Sequence, residues 1–239
     1  MMKKQIYYFL LIGLLSSLSP SLLSAQGSSY GKWKHLFDVK TLKGCHLYNQ
    51  AGEKINNWII EDGALICTGT PANQPNGALV SDLKFENFEV QWEWKIDTGS
   101  NSGFFYHVQE GVEFKKGPQE TGPEYQIIDD EHFPGKLEEW QKTGADYAMT
   151  IPNAQKKTKP IGKWNKSAIV YHQGKVKHYL NGKLILEFDN QSADWEKNRN
   201  SGKWKAFPNY AKIKNGSFAL QDHHSRAYFR RIKVRVIKD

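Results

Sequence analysis

The stretch FEVQWEWKI, residues 88–96, sets Val90, Trp92, Trp94 and Ile96 on one side of the chain and Glu89, Gln91, Glu93 and Lys95 on the other. A period of two is the signature of a β-strand with one face in a core and the other toward water. Both tryptophans follow the apolar period and are assigned to that core, with Glu93 on the solvated side. The same reading extends along the chain. KVKHYLNGKLILEF (175–188) is a hairpin, because Asn181-Gly182 supplies the two positive-φ residues of a type I′ turn. WIIEDGALICTG (58–69) reads as a second hairpin, and SAIVYH, GSFALQ and AYFRRIKVRVI as further strands. Helix-period segments are nearly absent; GKLEEWQKTG (135–144) has room for a turn or two. Many strands separated by Gly, Asn and Pro predict an all-β sandwich of antiparallel sheets. Residues 132–147 and 190–216 resist a strand reading, yet are rich in aromatics that disordered segments avoid, so they are expected as ordered walls over one sheet.

The N-terminus runs Lys3, Lys4, then IYYFLLIGLL, then SSLSPSLLSAQ, the order of a secretory signal peptide with a cut after Ala25. The apolar run is short for a bilayer and no second one follows, so no stable membrane anchor is expected. Residues 26–239 are then a single periplasmic or secreted domain. Removing the two leader lysines leaves 31 basic and 25 acidic residues, a mild excess without a dense tract, which argues against nucleic acid as partner. Cys45 and Cys67 lie 22 positions apart in an oxidising compartment; a chain of this length builds a core without a bridge, and the sequence leaves the pairing open.

Several standard sites are excluded. GSNSG (99–103) has Asn101 where a nucleophile elbow needs serine, and there is no G-x-G-x-x-G, P-loop, H-E-x-x-H or Cys/His zinc spacing. No cofactor is evident. The informative stretch is instead TGPEYQIIDD (121–130), where Glu124 and Gln126 share one strand face and Tyr125 and Ile127 the other. Gln221, Asp222 and His223 end a strand near the far end of the chain, and Arg230 falls in register with Ile232, Val234 and Val236, where a guanidinium needs a carboxylate partner. His178, expected opposite Ile185 in the hairpin, is read first as packing and carried as a sugar contact.

Together NSGFFYHV, GPEYQIID, TGADY, LNG and FALQDHHSRAYFRRIKV, in that order, resemble the 3-keto-disaccharide hydrolase family over about Trp33 to Val236. The resemblance implies a concanavalin A-like β-sandwich (jelly roll) of two antiparallel sheets, with an oligosaccharide or glycoside bound on the concave face. It carries over Asn101, Ser102 and Gly103 from the NSG turn, Glu124 and Gln126, Tyr147, Gln221, Asp222 and His223, and Arg230. The family usually follows that Arg with Asn, where this chain has Arg231. It also implies cleavage of glycosides oxidised to a ketone at carbon 3. Such a ketone acidifies the carbon 2 hydrogen, so one base can drive β-elimination of the glycosidic oxygen, with water adding afterwards. No matched carboxylate pair is then needed. The assignment is Glu124 or His223 as base, with Glu124 favoured, Arg230 and Gln126 as oxyanion partners and Asp222 orienting His223. Trp195, Trp204 and Tyr210 are stacking platforms, and a divalent metal ion bridging Glu124 and Asp222 would serve the same enolate. The alternative from a different class is a non-catalytic carbohydrate-binding module on the same fold.

Overall fold

A computed structural model of the chain describes residues 28–37, 40–69 and 77–238. The predicted leader, 1–25, lies outside the described residues. Fourteen strands form among those described: β1 Ser29–Tyr30, β2 Lys34–His35, β3 Cys45–Leu47, β4 Trp58–Glu61, β5 Ala64–Cys67, β6 Leu79–Phe85, β7 Phe88–Ile96, β8 Asn101–Val108, β9 Glu124–Ile128, β10 Asn165–His172, β11 Lys175–Leu180, β12 Lys183–Asp189, β13 Gly216–Leu220 and β14 Ala227–Lys238. One sheet runs β12-β11-β10-β7-β14-β5-β4, with β1 and β2 also pairing with β14; the other runs β3-β6-β13-β8-β9. Every pairing is antiparallel.

The alternation in β7 is what joins the two layers. Phe88, Val90, Trp92, Trp94 and Ile96 are buried, and Trp92 stacks on Phe104 of β8 at 4.2 Å and meets Tyr125 of β9 edge-on at 5.1 Å. Aromatic pairs in these geometries add to the gain from burying their area. The inner face of the second sheet is thus Phe104, Tyr106, Tyr125, Ile127 and Phe218, all within one core. By the pleat, Gly103, Glu124 and Gln126 must lie on that sheet's outer face.

Both predicted hairpins form. Asp62 and Gly63 turn β4 into β5 and Asn181 and Gly182 turn β11 into β12, all four at positive φ. The register of the second departs from expectation: a bulge between His178 and Tyr179 sets His178 opposite Leu186, not Ile185. The ordered wall expected over 190–216 includes a nine-residue helix, α1 (Ala193–Ser201). Ser192 caps it, accepting from the Trp195 amide at 3.2 Å. It buries only Trp195 and Arg199, which leaves no apolar stripe for a sequence reading to find. Cys45 and Cys67 are free thiols on different sheets.

Candidate active site

A cleft of about 1030 Å³ opens on the outer face of the second sheet. Its floor holds Asn101, Glu124, Gln126 and Gln221, one wall holds Tyr147, Lys203 and Trp204, and the opposite wall comes from residues 111–119. Asp222 and His223 complete the lining. Eight of the eleven predicted site residues therefore meet in one place, drawn from β8, β9, the turn after it, the segment after α1 and the end of β13.

Local structure explains the floor. Glu124 opens β9, which pairs on one side with β8, Gly103 facing Gln126 and Phe105 facing Glu124. Its other edge is taken by the 143–147 turn: the Tyr147 amide donates to the Glu124 carbonyl at 3.1 Å, the Gly144 amide to Gln126 at 2.8 Å, and Gln126 donates to Ala145 at 3.2 Å. The Glu124 carboxylate folds over Gly103, where any Cβ would collide with it. Glycine is required there by close approach of a side chain, not by its backbone angles.

Glu124 is buried and its Oε1 has no hydrogen-bond partner in the protein. Burial pushes its carboxyl from 4.5 up to about 8; the Lys203 ammonium pulls it down and the charge of Asp146 pushes it further up. Asn101 Oδ1 and Gln221 Oε1 are likewise buried without partners. Buried unpaired acceptors are uncommon in native folds, and three in one cleft call for donors from outside, such as hydroxyl groups. Gln126 turns its oxygen onto the Ile127 amide at 3.1 Å and offers its NH2 group.

Asp222 accepts from Asn57 Nδ2 at 2.7 Å and from the His224 amide at 3.0 Å, and so positions His223 through the backbone of the 222–224 turn. His223 is lowered from the usual imidazole value, chiefly by desolvation, with His224 and Lys203 adding to it. Ser102 is buried on the opposite side of β8 and donates to the Gln221 carbonyl at 2.8 Å, so it braces the floor from beneath and does not line the cleft.

Two predicted residues are elsewhere. Arg230 lies on the outer face of the other sheet, paired with Glu93 at 2.7 Å and stacked 3.9 Å over Trp164. The cause is a bulge between Arg230 and Lys233, with Arg231 at φ +53°; the extra residue turns Ile232 and Val234 into the core while Arg230 stays outward. Glu93, expected to be merely solvated, is its partner. His178 sits in the core, where burial lowers it to about 4, and its Nδ1 donates to the Gly144 carbonyl at 3.0 Å. It supports the turn that borders β9 and does not line the cleft. Of the expected stacking platforms, Trp195 and Tyr210 are buried behind Trp204, which stacks on Tyr210 at 4.0 Å and donates to the Tyr147 carbonyl. Trp204 is only 1 % exposed and offers the cleft an edge.

Lys203 and Asp146 join the site with little in the sequence to mark them. Lys203 places its ammonium 4.3 Å from the Tyr147 ring and 5.0 Å from that of Trp204, which steers it over the floor. Its one sequence signal is a lysine wedged against aromatics in GKWK (202–205). Asp146, beside the Tyr147 that was read, is fully buried, accepts from Trp195 Nε1 at 3.4 Å, and is raised to about 7 by burial. Among the described residues no three of His, Cys, Asp and Glu gather as a metal site. A second cleft, of about 240 Å³, contains Asp129 and Asp130. There Asp129 accepts the amides of Gly99, Glu131 and His132, and Asp130 pairs with Lys156 at 2.6 Å. Both carboxylates are already served.

Comparison with known proteins bears on the family and the fold. A curated 3-keto-disaccharide hydrolase of Bacteroides thetaiotaomicron is 30% identical over 226 residues, covering 84% of this chain and 77% of that protein. A candidate glycosyl hydrolase of Parabacteroides distasonis, solved crystallographically, is 41% identical with a TM-score of 0.79, covering 85% of this chain and 93% of its own. A second from the same organism is 25% identical with a TM-score of 0.64, covering 86% and 100%. A Bacillus subtilis protein described as having a galectin-like fold superposes with a TM-score of 0.54 at 11% identity, covering 89% and 99%, which speaks to the concanavalin A-like sandwich alone. The model of the 3-keto-alpha-glucoside-1,2-lyase-like domain matches residues 32–235, and the chain belongs to that family.

Proposed function

We propose that the cleft binds a glycoside oxidised to a ketone at carbon 3 and releases its aglycone by elimination, with Glu124 as the base. One observation carries this reading: a carboxyl buried on the floor, without a protein partner, and raised to about 8. A carbon acid is weak, and a carboxylate of that basicity abstracts its proton far better than an ordinary one. A binding module needs the acceptor oxygens of Asn101 and Gln221 but gains nothing from a raised carboxyl.

Glu124 takes the hydrogen from carbon 2, and the electron pair moves onto the carbon 3 oxygen. Lys203 stands in the electrophilic role that Arg230 cannot fill, its ammonium offsetting the enolate charge above the buried floor, with Gln126 as a second donor. The enolate then collapses, carbon 1 loses the glycosidic oxygen, and that oxygen leaves with a proton relayed through His223. Water adds at carbon 1 and a proton returns to carbon 2. With the leader read from the sequence, the reaction is placed outside the cytoplasm, in one domain spanning residues 26–239.

The test is run in heavy water with a 3-keto-glucoside, product being read early against an enzyme-free control. Deuterium at carbon 2 of the released 3-keto-glucose is expected, and Glu124→Gln should lose cleavage and exchange together while still binding sugar. Cleavage without early label at carbon 2 would mean direct displacement and end the proposal.

A further inference from the structure

The two walls of the cleft carry the same sign of charge. Lys203 stands on one, beside Tyr147 and Trp204, and Lys115 and Lys116 stand on the other. The Lys116 ammonium reaches to 5.2 Å from the ring of Phe207, a residue of the Lys203 side, so Lys116 spans toward the wall that carries Lys203. Two of the three carboxylates of this loop have hydrogen-bond partners, and the third folds back over the loop itself. Glu110 bonds His46 Nε2 at 2.7 Å and the Asn49 amide at 2.6 Å, Glu113 folds back over Gly111, and Glu120 accepts from the Lys116 amide at 2.5 Å.

The loop that carries these lysines is pinned. Asn49 donates to the carbonyls of Gly111 at 3.1 Å and Phe114 at 2.7 Å and accepts from the Gly111 amide at 2.9 Å, while Phe114 is itself buried. Three lysines lining one cleft give it a positive potential that an anion between them would offset. Its volume is at the upper end for small-molecule sites, so it holds more than the ring that reacts over Glu124.

We infer that the part of the cleft between Lys115, Lys116 and Lys203 takes an anionic substituent, a carboxylate or a sulfo group, on the leaving-group half of the glycoside. This rests on the reading above only in taking the reacting ring to sit over Glu124. A neutral aglycone would leave the lysines solvated, whereas an anion there gains from all three at once, and the gain would be salt-sensitive.

The probes are three aryl 3-keto-glucosides, 4-carboxyphenyl, 4-sulfophenyl and neutral 4-carbamoylphenyl, assayed with the full chain and with a Lys115→Gln/Lys116→Gln double variant. For each compound the ratio of kcat/KM between the two proteins cancels the acidity of the phenol. The double variant should fall roughly tenfold on one or both anionic compounds at low salt and stay level on the carbamoyl compound. Added salt of about 0.5 M should remove most of the difference. The anion with the larger fall identifies the substituent. Equal ratios for all three compounds would overturn the inference and leave elimination untouched. If no compound is cleaved, calorimetric binding of the unoxidised parents decides: an anion preference lost in the double variant upholds the subsite while the catalytic reading fails, and equal binding of all three overturns the subsite too.

Discussion

Burying Glu124 has a thermodynamic consequence that can be measured without any substrate. Its carboxyl is raised from 4.5 to about 8 in the folded chain, so between those values the folded state binds more protons than the unfolded one. Stability must then fall as pH rises: the contribution is whole below about 4.5, declines across the interval, and is gone once pH has passed about 8. A gap of roughly 3.5 in pKa, at about 1.4 kcal/mol each, is worth about 5 kcal/mol in all, of which about 4 kcal/mol is lost between pH 5 and 9. For a chain of this size that corresponds to a fall of roughly 10 °C in Tm. Glu124→Gln keeps the shape and removes the titration. The assay is denaturant or thermal unfolding of both proteins from pH 5 to 9, and the readout is the difference in slope, since the amide also changes the local hydrogen bonding at every pH. Asp146 titrates in the same direction in both proteins and largely cancels from that difference. The parent should lose stability relative to the variant by several kcal/mol toward alkaline pH. Parallel curves would refute the buried, raised carboxyl and with it the reasoning for the base.

Three substitutions test the rest of the site. Lys203→Met should lower kcat on a 3-keto-glucoside by about 10²- to 10³-fold. It should also move the alkaline rise in rate to higher pH, because the ammonium now pulls Glu124 down; an unmoved profile would separate Lys203 from the base. Gly103→Ala drives a Cβ into the Glu124 carboxylate and should cost about 10²-fold in kcat with the β-sheet circular dichroism intact; full activity would mean that the carboxylate works from another rotamer. Arg230→Gln should leave turnover within about twofold and cost no more than ~1 kcal/mol of stability, the scale of a partly exposed ion pair; a large loss of activity would restore Arg230 to the mechanism.

What could be read beforehand follows from pattern. Alternation needs only the identities of neighbours, so FEVQWEWKI, the two hairpins and the split of Glu124 and Gln126 from Tyr125 and Ile127 were all legible. Arg230 was misplaced because a bulge inserts one residue without altering composition, and a single slip inverts every side chain that precedes it in the strand. His178 is packing, as its alternation with Val176 and Leu180 implies; the sugar contact does not form, because a buried neutral histidine looks no different in sequence from one on a surface. Lys203 and the wall at 111–119 lie in segments without a period, where position is set by tertiary anchors such as Asn49 and Phe114, and no local rule predicts those.

The placement of the proposed base answers a physical difficulty of the proposed chemistry. A carboxylate becomes a strong base only where water is excluded, yet excluding water from it costs several kcal/mol, and a loosely held side chain would swing out to recover that cost. Here the escape is closed from three sides. Gly103 lets the carboxylate lie flat on the sheet, the 143–147 turn grips the edge of β9 through backbone bonds, and His178 supports that turn from the core through Gly144. The aromatic layer beneath, Trp92 on Phe104 and against Tyr125, ties β9 and β8 to the opposite sheet, so moving Glu124 would mean disturbing the buried aromatic core. Ordinary sandwich packing thus supplies both the stability that tolerates a buried acid and the rigidity that keeps it aimed, which suits a proposed base on a paired strand, with the lysines proposed to set specificity on the loops and turns around it.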